Sequence, residues 1–199
     1  MILHEITPVP DSALPLDAFK AHLRLGTGFG EDSLQEPVLL AFLRASLAAV
    51  EGRIAKALLQ RDFEWRLNDW PEGVILPVAP VSTVAQVALV DHTGAETLVP
   101  AAAYALAPDA HAPRLLALNG SLPTLPTGGG VVIRFTAGLG ATWDDLPADL
   151  AQAVFLLAAH YYEYRDDTSL HAGCMPFGVA SLIDRHRVPR LGRMRGGAA

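Results

Sequence analysis

Two pairs of side chains in this sequence have the spacing of metal ligands. His160 and Glu163 stand three residues apart, and such a pair on one helix face is half of a carboxylate-bridged metal site in some helix bundles. His171 and Cys174 have the spacing of a zinc-binding pair. Neither pair has the partners that would complete its site, since the sequence contains no ExxH pattern and only one cysteine. The sequence therefore predicts packing or capping roles for these side chains, and no metal.

The glycine cluster that most resembles a phosphate-binding loop is Gly128-Gly-Gly130. A phosphate loop leads from a strand into a helix, so that the amides at the helix start point at the anion, and a Lys and a Ser or Thr follow. This cluster precedes a strand-like run and lacks those residues, which favours a hairpin connection. Ser121, Ser169 and Ser181 lack the Gly-x-Ser-x-Gly setting of a nucleophile. We therefore expect no catalytic residue, no cofactor and no enzymatic activity.

Charge is distributed unevenly along the chain. The formal net charge is -6, but the last 15 residues carry five arginines and no acid, so the preceding body has a net charge of -11. A basic arm, residues 189–199, thus follows an acidic body. Candidate partner-docking residues in and beside the arm, which can make bidentate contacts with carboxylates, are Arg187, Arg190, Arg193 and Arg195. Contact with DNA phosphates and a solvated terminus are the alternatives, and the acidic body argues against a general nucleic-acid binder.

Composition places the chain among globular proteins. It has 199 residues, of which 51% are hydrophobic and 18% charged, and a chain of this size buries roughly 70% of its unfolded surface. The single cysteine, Cys174, has no partner for an internal disulfide, which is compatible with a reducing cytoplasm. We find no apolar run of membrane-spanning length and no secretory signal, so we expect neither.

Helical periodicity appears at both ends of the chain. Apolar residues at helical spacing predict four helices, at residues 15–25, from 32 or 33 to about 58, from 146 to about 165, and at 177–187. The second helix is apolar on two faces, because Leu39, Leu43 and Leu47 lie on one side and Ala45 and Ala48 on the other. We expect the core to cover one face of this helix and a neighbouring protein the other.

Between residues 62 and 136 the period changes from 3.6 to 2. Phe63, Trp65 and Leu67 alternate with polar residues, as in a half-buried strand. Further strands are predicted at 74–80, 84–90, 97–99, 104–106, 114–116 and 131–136. The sequence thus predicts an α+β fold, in which a helical bundle formed by residues 15–60 and 146–188 carries an inserted small antiparallel β-sandwich or barrel at 62–136. We treat residues 1–199 as a single domain.

Several segments, taken in order, resemble the head-tail connector, or adaptor, proteins of tailed bacteriophages and gene transfer agents. The blocks that carry the resemblance are Leu16-Asp-Ala-Phe-Lys-Ala-His-Leu-Arg24, Thr136-Ala-Gly-Leu-Gly140, Leu146-Pro-Ala-Asp149, Tyr161-Tyr-Glu-Tyr-Arg165 and Pro176-Phe-Gly-Val-Ala-Ser-Leu182. The last two are the most specific, because a helix end and a helix start of these types recur together in the family. Their order along almost the whole chain supports the resemblance more than any one motif.

The resemblance implies a structural protein of the virion or gene transfer agent particle, assembled in the bacterial cytoplasm. Family members form a ring, typically of twelve copies, beneath the portal protein. They join the head to the next neck or tail protein, a stopper or tail terminator. The arginines of the basic arm would then dock the portal. DNA would pass through the ring without specific binding, which suits an acidic body. A membrane partner is not expected.

Two other functions stay open on the residues alone. One is another neck or tail-completion protein. The second, from a different class, is a small β-barrel that binds a ligand or acts as an enzyme. That barrel would need polar residues at the inward strand positions, which instead read as core: Trp65, Leu67, Val87, Leu89, Ile133 and Phe135.

Overall fold

The computed structural model describes residues 1–25, 32–71, 74–165 and 175–187, and all of their side chains except those of residues 32–34. Within these ranges the α-helices are α1 (Leu16–His22), α2 (Asp32–Ile54), α3 (Ala148–Glu163) and α4 (Phe177–Ile183). Short 3-10 turns span Asp11–Ala13, Ala101–Ala103, Trp143–Asp145 and Asp184–His186. The four predicted helices are therefore all present, two from each end of the chain.

Local sequence accounts for where the helices begin and end. Pro147 and Pro176 immediately precede α3 and α4, where the missing proline N–H costs nothing because the first amides of a helix have no intrahelical acceptor. The last residue of α2 is Ile54, and the next residue, Ala55, leaves the helical conformation with φ of 56°. The sequence pattern continues this helix to Leu58, but the backbone at Lys56 instead pairs with Ala79, which ends the helical ladder. Leu58 is fully buried, as its apolar side chain predicts, but it lies after the end of the helix and not within it.

The helices share one hydrophobic core. Helix α3 packs against both α2 and α4, and Phe19 of α1 is fully buried with them. Phe155 of α3 stacks on Phe19 and on Trp143, with ring centroids 5.9 and 5.4 Å apart. The buried residues of α2, α3 and α4 are Leu39, Leu43, Ser46, Leu47, Val50, Ile54, Leu150, Ala153, Val154, Leu157, Ala158, Val179 and Ile183.

The strands form an open antiparallel sheet and a separate hairpin. Their bounds are β1 (Ile2–Glu5), β2 (Arg61–Leu67), β3 (Val81–Val90), β4 (Glu96–Leu98), β5 (Tyr104–Ala107), β6 (Arg114–Ala117) and β7 (Gly130–Ala137). The sheet has the order β1-β2-β7-β3-β4, and β5 pairs with β6. The predicted α+β fold is confirmed. The prediction left a sandwich and a barrel open, and the described strands do not form a closed barrel.

One face of the sheet makes a second hydrophobic core. Phe63, Trp65 and Phe135 point to this face, and the rings of Phe63 and Phe135 stack with centroids 5.6 Å apart. All six inward positions named from the sequence pack into this cluster, five of them buried and Leu89 partly so. These positions hold apolar side chains, so this side of the sheet fills a core rather than lining a polar ligand site.

The strand prediction was wrong in two places. Residues 74–80 form no strand: they pair only through single bridges, such as Ile75 with Arg114, because Pro77 and Pro80 lack the N–H groups that a ladder needs. Strand β1 was not predicted at all. It is only four residues long and exposed on both faces, so it carries no alternating pattern.

The strand region from β2 to β7 leaves and rejoins the helical region at two adjacent points. The Gln60 N–H donates to the Gly140 carbonyl at 2.8 Å, and the Leu139 N–H donates to the Leu58 carbonyl at 3.0 Å. Gly138 lies in this contact with φ of 148°, and a Cβ there would stand 2.5 Å from the backbone of Gln60. Only glycine fits such an approach. The strand region therefore begins and ends side by side.

Within the described ranges, every helix is too short or too polar to span a bilayer.

Candidate assembly surfaces

The described part of the C-terminal region is attached to the start of α3 by Asp149. This carboxylate accepts hydrogen bonds from His186 Nε2 at 2.7 Å and pairs with Arg185 Nε at 2.7 Å. Burial alone would raise the pKa of Asp149, but the hydrogen bonds from His186 and Arg185 outweigh it, so the pKa lies below its ordinary value. These contacts fix the segment that leads into the basic arm.

Of the four predicted docking arginines, only Arg187 lies within the described residues. It is exposed and pairs with Asp184 across one helical turn at 3.2 Å. An exposed pair of this kind holds its partners weakly, so Arg187 can exchange Asp184 for another carboxylate. Arg190, Arg193 and Arg195 lie outside the described residues.

Of the two candidate metal pairs, the structure describes only His160 and Glu163, and no further ligands join them within the described ranges. The His160 ring packs against Tyr164, with centroids 4.7 Å apart, and Glu163 is exposed. His171 and Cys174 lie outside the described residues. No group of three or more potential ligands occurs among the residues that are described.

The glycine cluster before β7 packs against backbone rather than cradling an anion. A Cβ on Gly129 would lie 2.0 Å from the Val90 carbonyl oxygen, and one on Gly130 would lie 2.3 Å from the Leu67 carbonyl oxygen. These glycines therefore allow the chain to enter β7 tightly between β2 and β3. The predicted hairpin role fits this geometry, because the segment leads into a strand and not into a helix.

The outer face of α2 is exposed and almost free of polar side chains. It lies opposite the buried face that carries Leu43, Leu47 and Val50. The exposed residues at alternating spacings of three and four form what we call the α2 stripe: Val38, Ala41, Ala45, Ala48, Gly52 and Ala55. A solvated helix face normally carries charged or polar side chains. At a rise of about 1.5 Å per residue the stripe is about 26 Å long.

A pocket of about 350 Å³ opens where the α2 stripe ends. It is lined by stripe residues, by Phe63, Pro77 and Val78, and by four charged side chains. Three of those four are already paired: Arg61 makes two hydrogen bonds to Glu51, at 2.9 and 2.6 Å, and its Nε lies 2.9 Å from a carboxylate oxygen of Glu5. This cluster connects α2, β1 and β2.

Lys56 is the fourth charged residue of this pocket. The residue is only 6% exposed, and within the described ranges no carboxylate stands within ion-pair distance of its ammonium group. Burial lowers the pKa of Lys56 below its ordinary value, and the more distant Asp109 opposes that effect only in part. The pocket therefore contains a lysine that is largely buried but whose ammonium nitrogen keeps some solvent exposure, and that lacks a close counter-charge in this part of the chain.

The exposed face of the sheet is polar, in contrast to the α2 stripe. Arg134 binds Glu96 through both terminal nitrogens at 2.8 Å, and its Nε donates to Glu64 at 2.8 Å. Arg66 also donates to Glu64, at 2.7 Å. The hydrogen bond from Arg134 lowers the pKa of Glu96 below its ordinary value. These charges satisfy one another, so this face is suited to solvent.

Solved structures of similar chains decide the family. A chain from the neck of an empty gene transfer agent particle, computed with C6 symmetry, is 53% identical over 100% of both chains, with a TM-score of 0.86. A chain from the virion of a native gene transfer agent particle is 53% identical over 99% of both chains, with a TM-score of 0.83. A third, from the neck of a native particle computed with C12 symmetry, is 49% identical over 100% of both chains, with a TM-score of 0.81. The chain belongs to the head-tail connector family.

No model of a known protein family matches the sequence, and a search of curated proteins finds no match. Membership in the head-tail connector family therefore rests on similarity to whole solved chains. Those chains are structural components of a particle and not enzymes, which confirms the expected structural role and particle location.

Sequence reasoning missed the charged side chains around the pocket of this connector. Arg61, Glu51 and Glu5 come from three separate segments, so their spacing along the chain carries no signal. Lys56 offers a weak signal that could have been used. It is a lone charge among five apolar neighbours, in Ile54-Ala-Lys-Ala-Leu-Leu59. A charge in such a run is either exposed or, as here, buried beside apolar side chains.

Proposed function

We propose that the protein is the adaptor of a particle neck, joining the portal of a DNA-filled head to the next neck or tail protein. The observation that carries this proposal is the 53% identity, over the full length of both chains, to a protein of a gene transfer agent neck. The producing particle is a gene transfer agent or a related phage.

We further propose that about twelve copies form a closed ring, as supported by the C6 and C12 symmetries of necks that contain similar chains. A ring is a heterologous assembly, in which each subunit uses two different side faces. The acidic body suits a wall past which DNA slides, because like charges remove the attraction for phosphates.

The basic arm is proposed to dock the portal. The arginines at 187, 190, 193 and 195 can make bidentate contacts with carboxylates, and Asp149 holds Arg185 and His186, which precede the arm, at the start of α3. The opposite side of the ring would then receive the stopper or tail terminator. The helical part, the strand insertion and the arm are proposed to act as a single domain.

A reconstitution experiment tests the adaptor role. The purified protein is mixed with portal assemblies from the same particle and imaged by electron microscopy, and we expect a ring of extra density on the face of the portal away from the head. In a producing strain that lacks this gene, we expect filled heads without attached tails. Finding the protein at the far end of the tail would refute the adaptor role and favour a tail-completion protein.

The arm has its own test, because it can be removed. Deleting residues 190–199 should leave the unfolding temperature nearly unchanged and abolish portal attachment. Replacing the arginines 187, 190, 193 and 195 by alanine should weaken attachment, and the loss should be smaller in about 1 M salt, where the screening length falls from about 8 Å at physiological ionic strength to about 3 Å. Full attachment of the truncated protein would show that the arm is a solvated terminus.

A further inference from the structure

We propose that the α2 stripe and the pocket at its end form the surface by which one copy binds the next, with a carboxylate of the neighbouring copy entering the pocket to pair with Lys56. This inference rests on the proposed ring and goes beyond it by naming the contact surface and the charge that completes it. Two independent observations support it.

The first observation is the chemistry of the stripe. Five of its six residues are alanine or glycine, and all six are exposed, so the backbone of α2 is accessible along its length. Small side chains let a partner helix or strand approach α2 closely, which increases the number of van der Waals contacts. The buried face of α2 already supplies the contacts with α3, so the stripe has no use in the described fold of a single copy.

The second observation is Lys56. Most of this residue is buried in the pocket, while its ammonium nitrogen keeps some solvent exposure and has no close counter-charge within the described ranges. An ammonium group that has lost part of its water without gaining a carboxylate is unfavourable, and desolvation lowers the pKa of Lys56. The carboxylates that line the same pocket, Glu51 and Glu5, are held by Arg61. The pocket has open volume beside the ammonium group and no free anion of its own, so an external carboxylate can complete the site.

A second copy of this chain is the occupant that these features favour. Necks containing similar chains have C6 and C12 symmetry, so each such copy is repeated around an axis. The body of the chain carries a net charge of -11, and that excess of carboxylates can supply the group that Lys56 needs. In a heterologous contact, the α2 stripe of one copy meets a different face of its neighbour. The glycine and alanine residues of the stripe leave room for larger apolar side chains on that face.

Photo-crosslinking in assembled particles tests the proposal. A photoreactive amino acid replaces Arg53, which is exposed beside the stripe, and in a control replaces Ala21, which is exposed on α1. We expect position 53 to give a covalent dimer of this chain, with the cross-linked peptide lying on a face of the neighbour other than α2. The control position, which lies outside the proposed contact, should give a yield of cross-linked dimer roughly ten times lower or less.

Two variants provide the second measurement. In Ala45→Glu a charge stands at the centre of the stripe, and in Lys56→Glu the charge of the pocket is reversed. Both should lower incorporation into particles about tenfold or more, because each buries a carboxylate without a partner. Ala21→Glu is the matched control and should be incorporated normally. Circular dichroism melting of the purified variants establishes that each has folded.

The outcomes separate this inference from the proposed function. Absence of the unmodified protein from particle necks refutes the adaptor role itself. If the protein is present there, cross-links from position 53 only to another particle protein, to DNA or within one copy overturn the stripe as a subunit contact. Normal incorporation of folded Ala45→Glu would also overturn it.

Discussion

The ion pair between Arg61 and Glu51 holds the helical region to the sheet, and its removal should be measurable in the stability of the whole protein. The two side chains are 10% and 11% exposed and share two hydrogen bonds, at 2.9 and 2.6 Å. Glu51 also accepts the Leu58 N–H at 2.6 Å. In Arg61→Met the apolar stem is kept, but the Glu51 carboxylate loses its charged partner at a nearly buried position.

Breaking one side of a buried ion pair costs about 3–5 kcal/mol, and we expect about 3 kcal/mol here because Glu51 retains the Leu58 amide. For a chain of this size that loss lowers the unfolding temperature by about 6–12 °C. Glu51→Gln should cost less, about 1–2 kcal/mol, because Arg61 keeps Glu5. The double variant should be less destabilised than the sum of the two single variants by about 1–3 kcal/mol.

Urea unfolding followed by circular dichroism measures all three free energies. Arg53→Met is the matched control, since Arg53 is exposed on the same helix and its loss should change stability by less than about 1 kcal/mol. If Arg61→Met costs no more than this control, or if the two single effects add, the ion pair does not connect the two regions as described.

Three further predictions follow from the core, the pKa of a carboxylate and a close backbone contact. Leu157→Ala should cost about 2–5 kcal/mol in urea unfolding, because Leu157 is 1% exposed between the helices. The lowered pKa of Asp149 means that its contribution to stability is present above the unfolded-state pKa of about 4 and is lost as the pH falls through the folded-state pKa. Asp149→Asn should therefore reduce stability at pH 7 and flatten its dependence on pH below about 4, as followed by unfolding at a series of pH values. Gly138→Ala should destabilise the fold strongly, since its Cβ would clash with Gln60, whereas Gly52→Ala, with open space at its Cβ, should stabilise α2 by about 0.5–1 kcal/mol. Equal melting temperatures for these two glycine variants would contradict the described contact.

Sequence patterns predicted the elements whose periodicity is long and whose burial is one-sided. The helices are recognisable because apolar residues such as Leu43 and Leu157 recur at helical spacing over several turns, and proline precedes the first residue of α1, α3 and α4. Strand β2 is recognisable because Phe63 and Trp65 alternate with polar residues. In these segments local pattern and tertiary burial agree.

The features that the sequence did not predict depend on contacts between distant segments. Strand β1 exists because its backbone pairs with β2, about 60 residues away, and its own side chains do not distinguish two faces. Helix α2 stops before Leu58 because backbone partners near Ala79 and Gly140 become available. The pocket around Lys56 needs three segments to meet. Such features require the register of the sheet to be known first.

The adjacent entry and exit of the strand region have an evolutionary consequence. An insertion whose ends already touch imposes little constraint on its host, because the entropy of closing the loop grows by only about 0.6 kcal/mol for each doubling of its length. Selection can then lengthen, shorten or resurface the strands while Gln60 and Gly140 stay in register. In the proposed ring, the strand region can change from one particle to another while the helices keep the spacing between subunits.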